Sequence, residues 1–279
     1  MGPVALLVNP TAARGRAADV GRRVERRLAE QGLDVTRVTD AAQAAGADTL
    51  VVVGGDGTVH RVLPALAGTP TALAVIPAGS GNDLAADLGV PSDPLAAADL
   101  VAAGRTRRID LGMAGDRPFA TVLCTGFDAA VAARATGLRW PRGPRRYDVA
   151  VLAEVARLRP SPLTLDLDGV RSEHLITLVA VGNTRMYGGG LRICPDADPA
   201  DGLLDVTVVG PMSRRELLRV APRLRTGRHV DHPAVGRHRA GAVRLSGHGL
   251  IAYADGEPLG PLPVHLSIRP DALRVVVPL

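Results

Sequence analysis

The sequence predicts an α/β N-terminal domain with a parallel sheet, followed by a mainly antiparallel, β-rich C-terminal domain. Three observations predict it. Up to about Arg108, short apolar runs alternate with amphipathic stretches; beyond it, many short apolar runs are joined by turns; and 279 residues leave room for about two domains.

The elements follow in order. Val4–Val8 is an apolar run closed by Asn9-Pro10, and residues 16–31 place Val20, Val24 and Leu28 four apart, as a helix does. Val35–Val38 alternates like a strand. Residues 49–53 form a β-branched and leucine run ended by Gly54-Gly55-Asp56-Gly57, with a helix expected over 59–67. The same grammar recurs as a strand at 72–76, a turn at 77–81, a helix at 82–88 and another helix at 91–103. Strand, helix, strand in succession calls for parallel pairing with helices on the sheet faces.

In the second half, strands are expected at 107–111, 119–124, 163–167, 175–181, 204–209, 243–245, 250–254, 264–268 and 273–277, with helices at 147–158 and 213–224. The domain boundaries read as 1–108, rejoined by 269–279, and 109–268.

Composition excludes whole chemistries. All 33 basic residues are arginines, against 28 acids, so there is no lysine for a Walker-type loop, a protein-kinase strand, a Schiff base or a Ser-x-x-Lys nucleophile. Phosphate handled here must meet glycine-rich backbone, arginine or a metal ion. The two cysteines, Cys124 and Cys194, are too few for a disulfide framework or a four-cysteine zinc site, and a reducing cytoplasm is the expected compartment. No apolar run is long enough to span a bilayer. The net charge of +5 invites polyanions, yet aromatics are 2% of residues and scattered, which argues against nucleic acid and for an anionic lipid or nucleotide.

Two strand–glycine turn–helix units carry the chemistry. In 49–59, three glycines allow close backbone approach to a phosphate, the following helix start offers amide donors, and Thr58 adds a hydroxyl. Asp56 would repel phosphate alone, so Mg2+ is expected between them. The second unit is Pro77-Ala-Gly-Ser-Gly-Asn-Asp83. Its Gly79-Ser80-Gly81-Asn82-Asp83-Leu84 has leucine where the dinucleotide fingerprint needs a third glycine or alanine, which leaves a Rossmann oxidoreductase little support. Further carboxylates stand at Ile109-Asp110-Leu111-Gly112 and in the turn Tyr253-Ala-Asp255-Gly-Glu257. Asp-Gly is also a common hairpin turn, so that cluster gains weight only from its company.

Together these residues resemble the catalytic domain of soluble bacterial lipid kinases, the diacylglycerol kinase family that includes sphingosine kinases. The resemblance spans nearly the whole chain. It rests on Asn9-Pro10, Gly54–Thr58, Pro77–Asp83, Asn183 with Gly188-Gly189-Gly190, Pro195-Asp-Ala197, Asp201-Gly-Leu-Leu-Asp205, Gly227-Arg-His229, Asp255-Gly-Glu257 and the final Val-Pro. Gly54–Thr58 alone is shared with NAD kinases and phosphofructokinases.

The resemblance implies an NAD kinase/phosphofructokinase-like first domain, a β-sandwich second domain and ATP-dependent phosphorylation of a lipid hydroxyl. It places ATP against Asn9, Pro10, Thr11, Ala12, Ala13, Thr39, Gly54, Gly55, Asp56, Gly57, Thr58 and Ser80. It puts Asp56, Asp83 and Asp110 in a carboxylate network around catalytic Mg2+, and Asp255 and Glu257 beside the acceptor hydroxyl, with Glu257 the first choice of proton acceptor. A second, structural Mg2+ is implied at Asp198, Asp201 and the backbone oxygen of Leu203. This sequence departs from the family at Ala13, where glycine is usual, at Ser80 in place of threonine, and in a shortened 39–54 segment.

The expected partner is a lipid with a free hydroxyl, with peripheral contact to anionic membrane through arginines at 139–146 or at 214–228. The latter flank a stripe of Leu217, Leu218, Ala221 and Leu224. A homodimer is compatible with the sequence. The rival readings are an NAD kinase-like enzyme and a nucleotide-binding regulatory module without catalysis.

Overall fold

The computed structural model describes residues 2–10, 17–138, 140 and 145–278. The chain forms two compact units, Met1–Leu111 with Pro199–Asp201 and Arg269–Leu279, and Gly112–Asp198 with Gly202–Ile268.

The first unit is a parallel sheet. Its strands are β1 (Val4–Val8), β2 (Val35–Val38), β3 (Thr49–Gly54) and β4 (Ala72–Pro77), in the order β2-β1-β3-β4, with the end of β16 (Val264–Val276) parallel to β4 through Arg274 and Val275. All six residues of β3 and of β4 are buried, as the unbroken apolar runs require of strands covered on both faces. Helices α1 (Ala17–Glu30), α2 (Asp56–Leu66), α3 (Asp83–Asp87) and α4 (Pro94–Ala103) connect and cover them.

Sequence explains where α4 starts and stops. The Asp93 side chain accepts from the amides of Leu95 and Ala96, Pro94 occupies the first turn, and Gly104 takes the left-handed conformation (φ 69°) that ends it. That start lies three residues after the expected one. Asp99 of α4 accepts from Arg27 Nε (2.7 Å) and Gln31 Nε2 (2.6 Å), tying α4 to α1.

The second unit packs two antiparallel sheets face to face. One is β12-β11-β10-β7-β14-β15, from β7 (Val122–Gly126), β10 (Leu178–Gly182), β11 (Leu204–Val209), β12 (Val235–Ala240), β14 (Ile251–Ala254) and β15 (Glu257–Pro261). The other runs from the first half of β16 through β13 (Ala242–Ser246) and β8 (Ser161–Leu167) to the edge strand β9 (Val170–Ile176). Leu163, Leu165, Val243 and Leu266 from one sheet meet Leu123, Val179, Val206 and Ala252 from the other in a single core, the expected β-sandwich. Each fully buried aliphatic side chain there contributes roughly 1.5–3 kcal/mol. The strands β5 (Thr106–Ala114) and β6 (Arg117–Phe119) pair with each other, and helices α5 (Phe127–Gly137), α6 (Arg145–Ala156) and α7 (Arg214–Val220) complete the fold.

Several expectations are corrected. The run 175–181 is not one strand: β9 ends at Ile176 and β10 begins at Leu178, in different sheets. The break falls at Thr177, whose hydroxyl donates to Gly210 O (2.8 Å). Conversely, the two runs expected at 264–268 and 273–277 are one strand, β16, which ends at Val276 and carries Asp271 at φ 52°. The helix expected at 213–224 is α7 followed by a 3-10 turn over Ala221–Thr226. Its apolar stripe is not presented outward as a unit, because Leu217 is buried while Leu218 is exposed.

Candidate active site

The parallel order β2-β1-β3 places a topological switch point outside the carboxyl ends of β1 and β3, where open α/β sheets bind ligands. Asn9 follows β1 there and Gly55 follows β3. Asn9 N donates to Val53 O (3.0 Å), and Asn9 Nδ2 donates to Thr58 Oγ1 (2.7 Å), so one side chain joins the two strand ends. Helix α2 begins at Asp56, three residues earlier than periodicity indicates, which puts Asp56, Gly57 and Thr58 in its first turn. Gly55 caps it with no side-chain hydrogen bond, so the turn's leading amides are not covered by a capping side chain.

The second glycine turn lies against the first. A Cβ on Gly55 would fall 2.7 Å from Gly79 Cα, and one on Gly79 would fall 2.5 Å from Gly55 Cα; both positions must be glycine for the backbones to meet. Asn82, in the left-handed conformation at φ 59°, locks that turn: its Oδ1 accepts from Gly79 N (2.8 Å) and its Nδ2 donates to Gly79 O (3.1 Å). Asp56 Oδ1 accepts from Leu84 N (3.3 Å), so the acid of the first turn also anchors the helix that follows the second. Ser80 is exposed, and the neighbouring Asp83 is buried. Thr39, just past β2, donates from N (2.9 Å) and Oγ1 (3.3 Å) to Gln43 Oε1. Asp110, also buried, accepts from Asp271 N (2.8 Å) while its own amide donates to Pro199 O (2.6 Å). Thr11, Ala12 and Ala13 lie outside the described residues.

In the second unit, β14 and β15 form a hairpin whose turn is Asp255 (φ 51°) and Gly256 (φ 82°). Asp255 is saturated: Oδ2 accepts from Ala120 N (3.0 Å), and Oδ1 from Thr121 N (2.8 Å) and Thr121 Oγ1 (2.6 Å). Asn183 holds the same segment from the other side, donating from Nδ2 to Ala120 O (3.0 Å) and from N to Thr121 O (2.8 Å). Glu257, two residues on, is exposed.

The structure thus groups Asn9, Gly54–Thr58 and the Gly79–Asp83 turn at one sheet edge, and it groups Asp255 and Glu257 at one hairpin. Asp198, Asp201 and Leu203 share the turn that leads into β11. Among the described residues no three His, Cys, Asp or Glu side chains gather closely enough to enclose a metal ion by themselves.

Sequence reasoning passed over Asp128. It lies in the first turn of α5, where the Tyr187 hydroxyl donates to its Oδ2, and removal from water pushes its carboxyl up to about 6. Burial and the nearby Asp128 push the Cys124 thiol up as well, which keeps it protonated. The Gly-Phe-Asp sequence at a strand end was the available signal.

Comparison with known proteins gives a consistent result. Residues 3–114 match the diacylglycerol kinase catalytic domain, and residues 121–277 match the YegS C-terminal NAD kinase beta sandwich-like domain. The chain is 44% identical to a diacylglycerol kinase of Mycobacterium tuberculosis over 298 aligned positions, covering 100% of this chain and 96% of the relative. It is 34% identical to a Pseudomonas fluorescens protein named "Probable lipid kinase YegS-like", covering 90% and 85%. A solved diacylglycerol kinase of Bacillus anthracis shares the fold with a TM-score of 0.75 at 21% identity, over 99% of this chain and 97% of that one. An NAD kinase of Archaeoglobus fulgidus, solved in complex with ATP, shares it at 0.57 and 15%, over 98% and 93%.

Proposed function

The chain belongs to the diacylglycerol kinase family of bacterial lipid kinases, and from that premise we propose that it transfers the γ-phosphoryl group of ATP to a hydroxyl of diacylglycerol or a similar lipid, with Mg2+. The observation that carries this reading is the sheet edge where Asn9, the uncapped first turn of α2 and the Gly79–Gly81 backbone converge. With no lysine in the chain, backbone amides there bind and orient the phosphates, and fixed amide dipoles stabilise charge without reorganising.

The donor set suits Mg2+. Asp56, Asp83 and Asp110, all in one unit, carry the hard carboxylate oxygens that Mg2+ takes, and water and phosphate oxygens would complete its shell. When bound, the ion would neutralise charge on the transferring phosphoryl group. The 198–203 turn, with the Asp198 and Asp201 carboxylates and the Leu203 carbonyl, offers the same hard-oxygen chemistry for a structural ion.

The hairpin divides labour. Asp255, with both oxygens taken up by amides and a hydroxyl, positions the turn. Glu257, exposed beside it, accepts the proton of the attacking lipid hydroxyl.

The test is transfer of labelled γ-phosphate to diacylglycerol, phosphatidylglycerol, sphingosine, ceramide and NAD presented in parallel. Labelled lipid is expected, with Glu257→Gln lowering kcat by about 10^2–10^4 while ATP binding is retained. Labelled NAD would favour the NAD kinase-like reading, and ATP binding without transfer to any acceptor would favour the regulatory module. An unchanged Glu257→Gln rate would move the proton acceptor elsewhere.

A further inference from the structure

Past the end of β2 the chain enters a 3-10 turn over Ala41–Ala44, which Asp40 caps by accepting from Ala42 N (2.7 Å) and in which Ala44 is buried. Gln43, in that turn, reaches back to Thr39. Its Oε1 accepts from Thr39 N (2.9 Å) and from Thr39 Oγ1 (3.3 Å). Both residues are exposed, where a glutamine side chain ordinarily keeps its rotamer freedom; here two hydrogen bonds to one atom hold it in place.

This bonding settles which way the amide faces. A backbone N–H can only donate, so the Gln43 atom against Thr39 N is the oxygen, and the NH2 group with its two donors is the end turned away from Thr39. The same bonding engages Thr39, whose amide and hydroxyl hydrogens both go to Gln43. Of the two side chains, it is Gln43, through Nε2, that has donors left at the end of β2.

Position gives those donors something to meet. Val38 pairs with Leu7 of β1, and Val8 of β1 pairs with Val53 of β3, so Thr39 comes level with Val8, one residue before Asn9 at the switch point. The glycine turn after β3 lies two strand spacings away, about 10 Å. A nucleotide with its phosphates on that turn, running along the carboxyl ends of the strands across β1, brings its sugar and base to β2. Doubly wound sheets set residues after the second strand against the sugar in the same way. The Asp40 carboxylate beside Gln43 suits this uncharged end of the ligand and not a phosphate.

We propose that Gln43, and not Thr39, reads the nucleoside end of ATP, its Nε2 donating to an acceptor atom of the base or of the ribose. A donor pair whose own oxygen is already engaged takes a ring nitrogen, a carbonyl or a hydroxyl oxygen, and does not accept from an exocyclic amine. The inference rests on the ATP-dependent reading above for the ligand; the choice of residue rests on the Thr39–Gln43 pair.

The test is calorimetric binding of ATP, 2′-deoxy-ATP and tripolyphosphate, each with Mg2+, to the full chain, which needs no acceptor lipid. Gln43→Glu keeps an oxygen for Thr39 N and Oγ1 and replaces the outward NH2 by an acceptor, so ATP should bind about tenfold more weakly. Tripolyphosphate has no nucleoside, and at physiological salt the added charge, about a Debye length from the phosphates, should change its affinity by no more than about twofold. Gln43→Met, which adds no charge, should weaken ATP about fivefold and leave tripolyphosphate unmoved. Native ATP affinity in both variants would overturn the proposal and leave Gln43 as a brace for the turn. An equal loss of ATP and tripolyphosphate in Gln43→Glu would overturn it as an effect of charge, and a large loss in Thr39→Val with none in Gln43→Glu would return the contact to Thr39. If Gln43→Glu weakens ATP but not 2′-deoxy-ATP, the acceptor is on the ribose; if it weakens both equally, the acceptor is on the base. ATP bound without transfer to any lipid counts against the lipid-kinase reading alone, whereas transfer whose KM for ATP is unmoved by Gln43→Glu counts against Gln43 alone. A native chain that binds no nucleotide overturns both.

Discussion

The dipeptide Asp-Gly stands at both turns assigned to catalysis, and the backbone puts it to opposite uses. At Asp56-Gly57 it opens a right-handed helix, and the carboxylate accepts from Leu84 N across to the next turn (3.3 Å). At Asp255-Gly256 both residues are left-handed, and the carboxylate takes two amides and a hydroxyl from residues 120 and 121. A carboxylate that takes three short hydrogen bonds from one segment is committed to holding that segment. The same dipeptide therefore opens a helix in one unit and closes a hairpin in the other; the proposed mechanism accordingly gives Asp56 to the metal ion and the proton to Glu257, not to Asp255.

The sharpest break of this comparison is Asp56→Asn. The amide oxygen can still accept the Leu84 amide, so the unfolding free energy should change by only about 0.5 kcal/mol. If Asp56 holds the catalytic ion as proposed, loss of its charge should lower kcat about 10^3-fold. Loss of activity together with loss of folding would instead make Asp56 the structural acid.

Asp255→Asn is the converse and should show first in stability. One of its two oxygens becomes an NH2 aimed at the amide of Ala120 or Thr121, a donor against a donor, at a cost of about 2–3 kcal/mol. Thermal unfolding measures this directly. Activity at a temperature where the variant stays folded should fall less than in Glu257→Gln. An Asp255→Asn protein of native stability and no activity would reverse the roles given to the two acids.

How much of this was legible follows the range of the interactions. The glycine turns and their acids were readable because phosphate chemistry demands particular residue types within a few positions. The strands β1, β3 and β4 were readable because burial on both faces leaves unbroken apolar runs, and β2 by its alternation. Asp255's commitment was not readable, since its partners lie more than 130 positions earlier. Helix α5 was missed because it packs through small residues, Ala129 and Ala135, with no bulky stripe to mark a face. Strand β12 carries Arg237, His238 and Arg239 at a sheet edge, and β15 contains two prolines and a glycine, patterns that read as loop. The run 175–181 misled because two strands of different sheets follow each other with only Thr177 between them.

A third acid refines the contrast between available and committed carboxylates with the smallest expected effect. Asp128 has a single strong partner, the Tyr187 hydroxyl, and little water, so its carboxyl titrates at about 6 instead of 3.8. Its folded state holds the proton more tightly than the unfolded chain does. The contribution to stability is therefore fully present below the unfolded value near 3.8 and is lost as pH rises through about 6, beyond which it is flat. Asp128→Asn removes the titration and keeps an acceptor for Tyr187. The variant should become more stable than the native chain as pH rises, the gap widening by about 1 kcal/mol between pH 5 and pH 7. Urea unfolding at the two pH values measures the gap. A gap equal at both would show that the hydrogen bond from the Tyr187 hydroxyl offsets the removal of Asp128 from water.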